Sequence, residues 1–240
     1  MPARGPNDSG AARMIACAGL AFHVLSYYVE DTGHSVRVDF ECGDGLVRVW
    51  VYDPEGCVEA SLESAVRALP RLLRAPLLDV EGGCGGRGSY SFEGLSRLVY
   101  SVFRRSGFYE WLKRVSASGR EHFLVVGWNG AYAEGAGSED RVNLPMLSAP
   151  LIAHTHPGLC YPSWRDVLSA ADFFSSGGLA EAIVSPVCGF MMRVTRPFSL
   201  ECLEALEDAA NCIRRAGGED EYLQCLSRLG SAGCIAAEML

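Results

Sequence analysis

Lysine is almost missing from this chain of 240 residues: of its 21 basic residues only Lys113 is one, and the rest are arginine, a pattern of codon usage more than of mechanism. The glycine-rich run "EGGCGGRGS" (81–89) therefore lacks the lysine and the following Ser/Thr of a phosphate-binding P-loop, and it reads as a linker. None of the ten cysteines makes a C-x-x-C, which argues against a zinc ribbon. At 49% hydrophobic the chain is too rich in core residues for a disulfide scaffold, so reduced thiols in a cytoplasm are expected, intracellular proteins of hyperthermophiles being the exception. Positive charge is also in deficit. A net charge of −8 disfavours a nucleic-acid backbone as partner. No run is long enough to span a membrane: "MIACAGLAFHVLSYYV" (Met14 to Val29) is the most apolar, but His23 and Ser26 interrupt it. Arg4 and Arg13 precede it as in a signal peptide, yet Asp8 lies among them and no clear A-x-A site follows. The run is expected to be a buried strand or short helix of a cytoplasmic protein, with "HVLSYYV" as strand.

What is present falls into three stretches, 1–88, 89–197 and 198–240, with no internal repeat. The first is a small α+β region. "HSVRVDFECGDGLVRVWVYDPEG" alternates about "GDG" and predicts a hairpin, with Val36, Val38 and Phe40 on one strand and Val47, Val49 and Val51 on the other. "SLESAVRALPRLLRAP" has helical spacing with a kink at Pro70, and "PLLDV" reads as a strand, an order compatible with a ubiquitin-like roll. In the second stretch, Phe92, Leu95, Leu98, Val99, Val102 and Phe103 share one helical face, and "FYEWLKRV" extends the helix after Gly107. "EHFLVVGW", "RVNLPM", "LIAHTH", "EAIVSPV" and "GFMMRVT" read as strands, and "PSWRDVLSAADFF" as a helix stopped by "SSGG". The third stretch reads as a helical tail to its end. The fold class is α/β (α+β).

Chemistry concentrates in "LIAHTHPGLCYPSWRDVLSAADFF" (151–174). Residues two apart on a strand point the same way, so His154 and His156 can reach one ion from a strand end. Asp166, in the first turn of the next helix, is a third ligand if the loop folds back. Two imidazoles and a carboxylate suit Zn²⁺ and leave a fourth position for water. The bland alternative is a helix N-cap at Ser163 with an acid three residues later. The two are compatible, because a cap would fix Asp166 in place. Cys160, in the intervening loop, is a candidate ligand or a buried apolar residue.

"HTHPGLCYPSWRD" resembles the JAMM motif of the MPN metalloproteases: a Glu upstream, then H-x-H, a loop, and S-x-x-D. The resemblance covers roughly residues 89–197. It implies a curved mixed β-sheet sandwiched by helices, Zn²⁺ held by His154, His156 and Asp166, and Ser163 as the serine that steadies a tetrahedral oxyanion. The loop from Pro157 to Pro162 is one residue shorter than is usual in the family. The family's Glu precedes a strand ending in Gly, and "REHFLVVGWNG" matches with Glu121 at one end and Gly127 at the other; Glu93 and Glu110 are the alternatives, both in stretches read as helical. Glu121 is then the general acid/base. The implied substrates are conjugates of a ubiquitin-like or small archaeal-type modifier protein. No nucleic acid or membrane partner is expected, and copies could associate through the N-terminal region or the C-terminal helices. The alternative is a non-catalytic MPN-type scaffold subunit of a complex.

Overall fold

A long amphipathic or fully apolar segment must find a place inside a protein, and here the N-terminal run takes the centre. In the computed structural model, which describes residues 7–32, 36–43, 45–54, 69, 77–84, 88–137 and 148–240, it forms one helix, α1 (Ser9–Thr32). This corrects the expected strand at "HVLSYYV". Ile15, Ala16, Ala18, Leu20, Ala21, Val24 and Leu25 are all buried, so apolar residues are needed on nearly every side of the helix. Burial outweighs the strand preference of the β-branched and aromatic residues there. The stretch Ser9–Val29 is long and apolar enough to cross a membrane by length and composition, but 67% of that window is buried within the protein. Gly19 permits the close packing, since a Cβ there would sit 2.8 Å from the Trp128 ring and 2.9 Å from Pro150.

The expected hairpin forms: β1 (Arg37–Cys42) and β2 (Leu46–Asp53) pair antiparallel, with Val38 opposite Val51 and Phe40 opposite Val49. The strand foreseen at "PLLDV" runs further, as β3 (Leu77–Cys84), parallel to β2. Glu81 to Cys84 thus belong to a strand and not to a linker. The order β1-β2-β3 makes a three-stranded sheet. The helix expected from "SLESAVRALPRLLRAP" and the strand "RVNLPM" lie outside the described residues, apart from Leu69.

Two helices follow, α2 (Phe92–Arg105), capped by the Ser91 hydroxyl, and α3 (Gly107–Ser116). The main sheet is built from β4 (His122–Val126), β5 (Tyr132–Ala136), β6 (Leu151–Thr155), β7 (Ala180–Val184), β8 (Gly189–Val194) and β9 (Ile235–Met239), in the order β5-β4-β6-β7-β8-β9. Only β6 and β7 are parallel neighbours, and α4 (Trp164–Ser175) makes the crossover between them. The tail holds α5 (Leu200–Arg215) and α6 (Glu219–Leu226) as expected, but its last residues form β9, an antiparallel edge strand on β8. Arg193 of β8 fastens it: Nε donates to Glu238 at 2.6 Å, while the other guanidinium nitrogens reach Ser96 and Glu93 on α2.

The mixed sheet lies between two apolar layers. One buried cluster joins Leu124, Val126, Leu151, Ala153, Ala182 and Met191 to Phe103, Phe108 and Leu112 of α2 and α3. The other, on the opposite face, gathers Val125, Ile152, Phe190 and Met192 with α1, α4, α5 and the smaller sheet, and so draws on all three stretches of the chain.

The cysteines depart from the expectation of reduced thiols. Among the described residues, four disulfides form: Cys17–Cys42, Cys160–Cys188, Cys202–Cys234 and Cys212–Cys225. They close stretches of 13 to 32 residues, and each is worth roughly 3 kcal/mol if it acts through the entropy of the unfolded chain.

Candidate metal centre

The parallel pairing of β6 and β7 forces the chain to cross over after His156, and the crossover starts with a short loop into α4. The ladder runs one residue past β6, because the His156 N–H donates to the Val184 carbonyl at 3.0 Å. Ile152, His154 and His156 alternate onto one face. At the start of α4, Ser163 and Asp166 close a capping box: the Asp166 carboxylate accepts the Ser163 N–H at 2.6 Å, and the Ser163 hydroxyl accepts the Asp166 N–H at 3.3 Å. Asp166 is thereby held against the end of β6.

The three expected ligands come together. His154 Nε2 lies 3.2 Å from His156 Nε2. The Asp166 carboxylate presents one oxygen 3.5 Å from the first nitrogen and the other 3.5 Å from the second. A tetrahedral metal with bonds of about 2.0–2.1 Å sets its ligand atoms about 3.3–3.4 Å apart. The two imidazole nitrogens are near that spacing, and one ligand atom from each of the three residues lies within 4.8 Å of the others, so the group could hold a metal ion. The same groups also pair with one another, so the cluster has favourable contacts of its own.

The charges bear the mark of that crowding. Burial by itself would lower the pKa of His154, but the neighbouring Asp166 carboxylate, with Glu181 and Glu121 behind it, raises it above the ordinary imidazole value. His156 is lowered, by burial first and then by the charge of His154. Asp166 is held at about 2: burial opposes its ionisation, but the hydrogen bond and charge of His154 outweigh it.

Each imidazole is also approached from behind. The His156 ring lies by the backbone of Leu159 and Tyr161, whose carbonyls favour its charged form. That loop is pinned between them, where Cys160 is bonded to Cys188, and again where the Tyr222 hydroxyl donates to the Pro162 carbonyl at 2.6 Å. Cys160 is therefore neither a ligand nor a simple apolar residue. Behind His154, Nδ1 faces Glu181 of β7 at 3.5 Å. Glu181 is buried, and that burial raises its carboxyl to about 8.

The three glutamates weighed from the sequence occupy different places. Phe123 is the antiparallel partner of His154, so Glu121, two residues earlier, extends the same face to a position across from His156. The Thr155 hydroxyl accepts the His122 N–H at 2.8 Å and secures that end of the strand pair. Glu121 is half-buried, and its charge acts on His154. Glu93 is engaged by Arg193 and Arg97 on the other face of the sheet. Glu110 is exposed on α3.

Glu181 and Tyr222 were missed from the sequence. A carboxylate in the apolar strand "EAIVSPV" was a visible signal, since charge in a doubly covered strand needs a reason. Tyr222 gave no signal, because its role depends on where the tail folds back. Compared with models of protein families, with curated proteins and with solved structures, the chain matches none.

Proposed function

We propose that the protein is a zinc-dependent isopeptidase of JAMM type, acting on (iso)peptide bonds of a ubiquitin-like or small archaeal-type modifier protein. The observation that carries the reading is the convergence of His154 Nε2, His156 Nε2 and the Asp166 carboxylate, with one ligand atom of each within 4.8 Å of the others. The site opens where a βαβ crossover begins, a common place for ligands in sheets of this kind. Zinc held there would polarise a substrate carbonyl and bring the pKa of a bound water towards about 7.

The side chains divide the remaining work. Glu121, across the strand pair from His156, takes a proton from the attacking water onto its carboxylate and returns it to the leaving amine. The Ser163 oxygen uses a lone pair to cap α4, and its O–H, which also supports the Asp166 carboxylate, would donate to the carbonyl oxygen as charge develops there. Asp166 is oriented by the same capping box. The place of action is proposed as a cytoplasm; disulfides such as the four among the described residues are, in that compartment, the habit of hyperthermophile proteins.

Protein purified with zinc present should carry it in near-stoichiometric amount by elemental analysis, and should cleave modifier conjugates until a chelator is added. Absence of zinc after such a purification would overturn the enzyme reading and favour a scaffold subunit. Zinc with no cleavage of any conjugate would keep the metal and overturn the substrate class.

A further inference from the structure

We infer that Glu181 is the positioning residue of the metal centre, accepting the Nδ1–H of His154 and so keeping the Nε2 lone pair directed at the ion. The inference rests on the metal reading above. Glu181 lies in the middle of a sheet, with Ile152 and Met192 as its strand partners, and it is 1% exposed. An apolar residue would suit that place, because a buried carboxylate without compensation is costly. Its Oε1 is 3.5 Å from His154 Nδ1, and its Oε2 has no hydrogen-bond partner among the described residues. The carboxylate is thus poorly explained by packing and well explained by the ring it faces.

Imidazole chemistry gives the role its content. A neutral histidine has one N–H and one lone pair; if Nε2 binds an ion, the proton must sit on Nδ1 and needs an acceptor. His156 has backbone carbonyls of the loop near it, at Leu159 and Tyr161. His154 faces β7, where backbone groups are already engaged in the ladder with β6 and β8, and Glu181 is the side chain in reach. A carboxyl oxygen in this relation to a ligating histidine fixes its tautomer, whether or not the group is ionised.

Glu181→Met fills a similar volume without an acceptor, and Glu181→Gln keeps an oxygen that can accept. Zinc affinity is to be measured by chelator competition, and the His154 ring nitrogens by NMR in the zinc-loaded protein. Glu181→Met should bind zinc roughly 10- to 100-fold more weakly, with thermal stability equal to or above wild type. Glu181→Gln should recover most of the loss and shift the His154 Nδ1–H signal. Wild-type affinity in a folded Glu181→Met overturns the role alone. Should that variant not fold, an unshifted Nδ1–H signal in Glu181→Gln overturns it. Wild-type protein that takes up no zinc overturns the metal reading, and the role of Glu181 falls with it.

Discussion

On β6, Leu151 and Ala153 point to one face of the sheet, and Ile152, His154 and then His156 to the other. The first face meets α2 and α3 in a mainly apolar layer, with Leu151 and Ala153 wholly buried and the Arg193–Ser96 pair at its β8 side. The second begins apolar at Ile152, beside Val125, and becomes polar within two residues, at the point where the strand ends and the crossover loop begins. One strand thus serves folding on one side and carries the candidate metal centre on the other. A strand fixed by packing on its first face gives the histidines on its second a rigid mount, which a metal centre needs more than a loop-borne site could supply. If the division is real, substitutions on the two faces should fail in different ways.

The largest effect should come from the ligands themselves. His154→Ala or Asp166→Ala should abolish zinc binding and cleavage together, since two protein ligands rarely hold zinc tightly. Circular dichroism and thermal melting should show a folded protein in both cases. Either variant with full zinc at wild-type affinity would show that the ligands are misassigned.

Glu121→Gln comes next. The amide keeps size and hydrogen bonding but cannot carry the proton, so turnover should fall roughly 10²- to 10⁴-fold with zinc retained. Glu93→Gln should leave turnover nearly unchanged, because Glu93 is tied to Arg193 and Arg97 across the sheet. A fully active Glu121→Gln would remove the proton carrier from β4.

Leu151→Ala attacks the other face. It leaves a void in a closed apolar layer, and unfolding measured with urea should show a loss of about 2–5 kcal/mol. Zinc affinity per folded molecule should be unchanged. A large drop in affinity instead would mean that the two faces are coupled through the strand and are not separable.

The sequence made some of this plain and hid the rest for identifiable reasons. The H-x-H pair was legible because the period of a strand is two, and Ser163 with Asp166 was legible because a capping box has a fixed spacing. Both are local. The strand β5, "YAEGA", was not seen: it is an edge strand with mostly exposed residues, and so carries no apolar alternation. β9, "IAAEM", reads as helix by composition and becomes a strand only because β8 offers an edge and Arg193 a partner for Glu238. Cysteine pairing was out of reach, since spacing does not determine connectivity. Glu181 stood in plain sight, but its meaning depends on β7 lying beside β6, which only the crossover establishes.

The smallest effect expected is at Ser163, and it tests how the two roles of one hydroxyl are divided. As a cap, its oxygen accepts the Asp166 N–H at a rather long 3.3 Å, while the partner bond from the Ser163 N–H to the Asp166 carboxylate is short, at 2.6 Å. Alanine removes only the first, because the second uses the backbone. The cost in stability should therefore be about 1 kcal/mol or less, and Asp166 should stay in place with zinc bound. As an oxyanion donor, the hydroxyl is worth more, and its loss should slow turnover roughly 10²-fold. Ser163→Thr keeps both functions if the added methyl fits beside the loop, and Ser163→Gly removes both while still allowing a cap conformation. A slow, zinc-loaded Ser163→Ala of near wild-type stability supports the donor role. A variant with wild-type turnover and lowered stability makes Ser163 a cap alone, an outcome for which the loop from Pro157 to Pro162, one residue shorter than the JAMM pattern proposed for this chain, gives a ready structural reason.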